Sequence, residues 1–118
     1  MSCCILLVDD EPLILMDLEF AAQDAGCDYR SARGVDQALD QCAEHDISVA
    51  VLDVNLGAGT NCVPIAKALD DKGIPYLLHS GDLDRQDETV RSLDAELIPK
   101  PAAADQVIQR AIALGGGC

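Results

Sequence analysis

Two adjacent acids, Asp9 and Asp10, a third, Asp53, and a lysine, Lys100, each stand just after a short apolar run. The runs are Ile5-Leu6-Leu7-Val8, Val49-Ala50-Val51-Leu52 and Leu97-Ile98-Pro99. Each reads as a β-strand. Carboxylates gathered at the ends of buried strands repel one another: two unit charges ~4 Å apart cost roughly 4 kcal/mol at an effective dielectric of about 20. A lysine offsets only part of that. A site with more carboxylate than ammonium favours a divalent cation, and the hard, oxygen-binding one available in cells is Mg²⁺.

The elements that must position these groups follow from the hydrophobic pattern. Residues 3–8 form a continuous apolar run, as a strand buried on both faces should. Pro12 then suits the first turn of a helix over 13–25, with Asp10 placed to cap it and Gly26 to end it. The first turn of that helix, Leu13-Ile14-Leu15-Met16, is apolar almost all round, more than one buried stripe requires. The surplus is either additional core or a docking face. Residues 28–32 make a polar, edge-like strand, and Val35, Ala38, Leu39, Cys42 and Ala43 recur at helical spacing. A third strand over 48–52 is followed by a Gly-rich loop at 57–61 and a helix over 62–72, stopped by Gly73. Residues 76–79 read as a fourth strand and 97–98 as a brief fifth. The charge-rich segment 81–92 reads as a short, loosely held fourth helix. Val107, Ile108, Ala111, Ile112 and Leu114 give a last helix before Gly115-Gly116-Gly117. Alternating strands and helices imply a parallel sheet covered on both faces. In such sheets ligands bind outside the carboxyl ends of the strands. Asp9-Asp10, Asp53, His79-Ser80 and Lys100 all fall at that edge.

The 118 residues suit a single domain, residues 1–118, with a Gly-rich tail from 115. The net charge of −13 would repel a duplex phosphate backbone, so no direct nucleic-acid contact is expected. No apolar stretch is long enough to span a bilayer, and the N-terminus lacks the pattern of a signal peptide. A cytoplasmic protein acting through protein partners is the expectation. The six cysteines show no Cys-x-x-Cys spacing and read as reduced: Cys3 and Cys4 point to opposite faces of a strand, Cys27, Cys42 and Cys62 sit at core-like positions, and Cys118 ends the tail. His79 reads as a strand residue and His45 as an exposed loop residue.

With Leu7-Val8-Asp9-Asp10-Glu11-Pro12, Leu52-Asp53-Val54-Asn55-Leu56, Ser80-Gly81 and Pro99-Lys100-Pro101 in order, the chain resembles the receiver domain of two-component response regulators over essentially its whole length. The resemblance implies a flavodoxin-like α/β fold, (βα)5, with a five-stranded parallel sheet of order 2-1-3-4-5. It implies that Asp53 accepts a phosphoryl group from a phosphohistidine on a sensor histidine kinase or phosphotransfer protein. Asp10, Asp53 and the backbone carbonyl of Asn55 would hold Mg²⁺ directly, and Asp9 through water. Lys100 would pair with Asp53 and then with the phosphoryl group, Ser80 would donate to it, and Gly81 would leave it room. Asn55 and Asp82 would influence the rate of its hydrolysis, and a cis Lys100–Pro101 bond is implied.

Three positions depart from the usual pattern. Leu97 stands where receivers of the familiar type carry Tyr or Phe, Ala102 where a Phe is common, and no Asp or Ser is placed to cap the last helix. The face those residues build serves dimerisation in many relatives, so a monomer or weak dimer is expected. Signalling would then run through ordering of the 81–92 segment. Two other readings compete: a receiver-like adaptor that is never phosphorylated, which would be expected to have lost an acid or the lysine, and an aspartyl-phosphate phosphatase, which would want Asp-x-Asp on the first strand rather than Asp9-Asp10-Glu11. Neither fits as well as a non-enzymatic phosphoacceptor.

Overall fold

The early apolar run becomes an inner strand, β1 (Cys4–Val8), in a computed structural model that describes residues 3–57, 59–80, 95–100 and 102–116. Helix α1 (Pro12–Asp24), strand β2 (Asp28–Ala32), helix α2 (Val35–Glu44), strand β3 (Val49–Leu52), helix α3 (Val63–Asp71), strands β4 (Tyr76–Ser80) and β5 (Glu96–Pro99) and helix α4 (Ala104–Leu114) follow. All described strand pairs are parallel, and the sheet runs β2-β1-β3-β4-β5, the order implied by the resemblance. The helix expected over 81–92 lies outside the described residues.

Alternate residues of the inner strands feed two cores. Leu6, Val8, Ala50, Leu52 and Leu78 pack against Ala38 and Cys42 of α2 and Ile65, Ala66 and Leu69 of α3. Ile5, Leu7, Val49, Val51 and Leu77 pack on the opposite face against Leu15, Leu18 and Ala22 of α1 and Val107, Ile108 and Ala111 of α4. Burial on both faces explains why β1 and β3 are apolar without alternation. At the edges, β2 and β5 are polar or half-exposed, which keeps the sheet from pairing further.

Several local expectations change. Asp10 does not cap α1: Glu11 holds the N-cap position with no side-chain cap bond among the described residues, and the Glu11 N–H instead donates to Asp9 Oδ1 (2.9 Å). The carboxylate one residue earlier folds back over the turn, which frees Asp10 for the cleft. The surplus apolar residues of α1 are not all core. Leu15 and Leu18 are buried, whereas Leu13 is 73 % exposed and Phe20 56 %, with Met16 between them on the same face. His45 is half-buried at the C-cap of α2 rather than exposed in a loop. Cys4, Cys27, Cys42 and Cys62 are not disulfide-bonded, whereas Cys3 is. The expectation of six reduced cysteines therefore fails at Cys3. Cys3 and Cys4 do face opposite cores, as expected, and sequence spacing alone does not reveal which cysteine is oxidised. No helix among the described residues is long and apolar enough to cross a membrane.

Candidate active site

Strand register builds the site. Val8 pairs with Leu52, and the Asp53 N–H donates to the Val8 carbonyl (2.8 Å), so Asp9 and Asp53 leave neighbouring strands side by side. Ser80 pairs with Pro99, and the Lys100 N–H donates to the Ser80 carbonyl (2.9 Å). Four separated sequence positions thus meet at one edge of the sheet. They border a cleft of about 350 Å³ lined by Asp10, Glu11, Asp53, Asn55, Gly57, Ser80 and Lys100.

Lys100 is the cation of this cluster. Its Nζ lies 3.0 Å from Asp9 Oδ2, 3.5 Å from Asp53 Oδ1 and 3.7 Å from Glu11 Oε1. The shortest of these contacts is to Asp9, and the Lys100–Asp53 pair that the resemblance implies is present beside it. Asp9 is 1 % exposed and Asp53 5 %, so both are removed from water. Burial, then the charge of Asp9, push the Asp53 carboxyl up to about 7, partly offset by Lys100 and reinforced by the hydrogen bond and charge of Asp10. Burial works against the Lys100 ammonium, but its bond to Asp9 and the charges of Asp53, Asp9 and Glu11 hold it above its usual value.

The donor set fits a hard divalent cation. Carboxylate oxygens of Asp9, Asp10, Glu11 and Asp53 all lie within 4.8 Å of one another. Opposite ligands of one octahedral Mg²⁺ stand about 4.2 Å apart. With all four acids ionised and Lys100 charged the cluster carries a net −3, an excess that such a cation would relieve.

Two further residues of the cleft lie outside the set that the sequence pointed to. Glu11 belongs to the acidic cluster, and its place in the Asp9-Asp10-Glu11 run was the available signal. Gly57 has φ +79°, and a Cβ there would stand 3.2 Å from Asp10 Oδ2. It begins a tight loop in which the Thr60 N–H and hydroxyl both donate to the Gly57 carbonyl (2.8 and 2.7 Å). Gly57→Ala should therefore cost about 1 kcal/mol through its left-handed backbone. It should also weaken Mg²⁺ binding several-fold by displacing Asp10, measured as the metal dependence of thermal melting. Unaltered metal dependence would exclude a role for this contact.

Of the other candidates, Ser80 is buried at the cleft as the last residue of β4, and Asn55 is exposed at its rim. Gly81, Asp82, the segment 81–92 and the Lys100–Pro101 bond lie outside the described residues. Leu97 is 43 % exposed on the edge strand. Helix α4 has Ala103 at its N-cap, with no side-chain cap among the described residues, as its sequence suggested.

Comparison with known proteins gives a consistent picture. The response regulator receiver domain family matches this chain over residues 5–112. SdrG from Sphingomonas melonis Fr1, solved in solution, is 32 % identical, with 97 % of this chain and 96 % of that chain covered at a TM-score of 0.77. The receiver domain of the Erythrobacter litoralis PhyR response regulator is 23 % identical over 98 % of this chain and 91 % of that one, with a TM-score of 0.82. A CheY-like receiver domain protein from Methanospirillum hungatei JF-1 shares the fold at 17 % identity and a TM-score of 0.83, covering 99 % of this chain and 96 % of that one. No curated protein matches the chain at a significant level.

Proposed function

The chain belongs to the response regulator receiver domain family of two-component systems, and on that premise we propose that Asp53 accepts a phosphoryl group from a phosphohistidine of a sensor histidine kinase or phosphotransfer protein. The observation that carries this reading is the position of Asp53: a buried carboxylate at a strand end, opening on a cleft, with Lys100 at 3.5 Å and three further acids around it. A carboxylate oxygen of Asp53 attacks phosphorus as the bond from phosphorus to the donor imidazole breaks. The donor ring is protonated on its other nitrogen, so it leaves as a neutral histidine on the partner, and the second product is an acyl phosphate.

The protein's part is positioning and charge compensation. Asp10, Asp53 and the Asn55 carbonyl would hold Mg²⁺, with Asp9 and Glu11 close behind. Once bound, the ion would neutralise charge on the transferring group. Lys100, already shared between Asp9 and Asp53, is placed to turn its ammonium toward the phosphoryl oxygens. The Ser80 hydroxyl is the neutral donor at the cleft wall. Asp53 is consumed once per transfer, so the chain acts as an acceptor and not as an enzyme.

Partners are proteins on this reading, both the donor and a downstream target, in the cytoplasm. The exposed Leu13, Met16 and Phe20 on α1 offer the apolar contact surface. The charge of −13 disfavours nucleic acid. The decisive experiment is incubation with a small phosphodonor, acetyl phosphate or phosphoramidate, and Mg²⁺, followed by intact mass. The expected result is addition of a single phosphoryl group, lost with a chelator and in Asp53→Ala. No added mass under these conditions would overturn the assignment.

A further inference from the structure

Lys100 also borders a second cavity, of about 240 Å³, between α1, the end of β4 and the start of α4. Among the described residues its apolar walls are Ile14 and Leu18 on α1 and Ala102 and Ala104 at the head of α4. Besides Asp17 and Lys100 it is lined by His79, 3 % exposed, whose Nδ1 and Nε2 both lack a hydrogen-bond partner among the described residues. A neutral imidazole presents one donor and one acceptor. Leaving such groups unpaired away from water costs about 1–3 kcal/mol each. A histidine that served only as strand filling would be expected to find a bond in the core. This one instead lines a cavity with its hydrogen-bonding capacity unspent.

We propose that this cavity binds a small neutral molecule combining a single ring or short apolar body with a hydroxyl or carboxamide, held by hydrogen bonds to His79. The apolar walls call for an apolar body. A dry cavity of about 150 Å³ accepts benzene, so the present one has room for a ring and a polar substituent. The head group must both donate and accept, because the imidazole offers one of each. Burial and the nearby Lys100 charge push His79 below its ordinary range, against a smaller opposing effect of Asp9, so the ring is neutral and offers no charge to an anion. Lys100 is already engaged by Asp9 and Asp53, and Asp17 lines the same cavity, which further disfavours a carboxylate or phosphate.

The test is NMR of the full chain, following the His79 ring nitrogens and the Ile14 and Leu18 methyl groups. Phenol and benzamide serve as probes, with toluene and benzoate for comparison. Phenol and benzamide are expected to give saturable shifts and to bind about 5- to 10-fold more tightly than toluene or benzoate. His79→Leu should erase the preference for phenol over toluene. Ala104→Leu, which fills the cavity from its wall and keeps the imidazole, should stop binding altogether and carries the test if His79→Leu does not fold. A cavity holding only water would give no saturable shift up to about 10 mM probe, and that result overturns the proposal. So does equal affinity for phenol and toluene, or unchanged binding in Ala104→Leu.

Discussion

Asp53→Asn is expected to make the metal-free protein more stable at pH 8, not less. The carboxyl of Asp53 is pushed up to about 7 from an ordinary value near 3.8, by burial first and the Asp9 charge second. Between those values the folded state holds a proton that the unfolded chain has released. Metal-free stability therefore falls as pH rises from about 4 to about 7, then levels off. Every tenfold difference in proton affinity between the folded and unfolded chain corresponds to about 1.4 kcal/mol, so the strain carried above pH 7 is on the order of 2–4 kcal/mol. Asparagine keeps the shape and removes the charge. In a chelator at pH 8 the variant should melt roughly 10 °C above the parent, and the gap should shrink by most of that at pH 5. Urea denaturation at both pH values measures the same difference. A parent chain whose metal-free stability rises between pH 5 and pH 8 would contradict this account. Added Mg²⁺ should stabilise the parent by binding only its folded form, and should do far less for the variant.

Lys100→Met should move stability the other way. The ammonium is held above its usual value, so its contribution is complete throughout the neutral range and is lost only as pH rises through the folded pKa, above about 10.5. Removing it leaves Asp9 buried with the Glu11 N–H, and leaves Asp53 facing the remaining acids. Breaking a buried pair on one side costs about 3–5 kcal/mol. The metal-free variant should therefore melt more than 10 °C below the parent at pH 8. Protonation of Asp53 should return part of the loss at pH 5, and Mg²⁺ should return part of it at pH 8. A variant as stable as the parent in chelator would show that the acids do not need this cation. The double variant Asp53→Asn with Lys100→Met should lie above Lys100→Met alone, because one of the two uncompensated charges is then gone.

The opposite signs expected at Asp53 and Lys100 follow from positions 47 residues apart in the chain, and the sequence exposed both. Apolar runs of four residues before an acid placed β1 and β3, a run of three before lysine placed β5, and together they marked one edge of a parallel sheet. The runs of β1 and β3 are legible because burial on both faces requires apolar residues without interruption, whereas β5 is a half-exposed edge strand with a shorter run. Helix ends at Gly26 and Gly73 were legible for a similar reason, since a left-handed residue is cheapest as glycine.

Contacts between elements were not legible, because they depend on register and on which way a side chain turns. The pairing of Val8 with Leu52 set Asp9 beside Asp53, and the fold-back of Asp9 onto the Glu11 N–H took the cap away from Asp10. The preference of Lys100 for Asp9 arises from those two placements together. Gly57 looked like one loop glycine among several until its backbone stood against Asp10. On α1 the hydrophobic pattern was too rich to say which residues face the core, and packing against α4 and the sheet buried Leu15 and Leu18 while leaving Leu13, Met16 and Phe20 outside. His79 carries the same lesson. As a letter in a strand it predicts nothing, and only a cavity bounded by three separate elements leaves its ring without partners among the described residues. By itself, then, the sequence determined the sheet, its functional edge and the identity of the charged groups, since burial dictates composition along the chain. The tertiary structure decided which charges touch, which apolar face is free and where a buried imidazole meets a cavity, since those depend on distances between segments far apart in sequence.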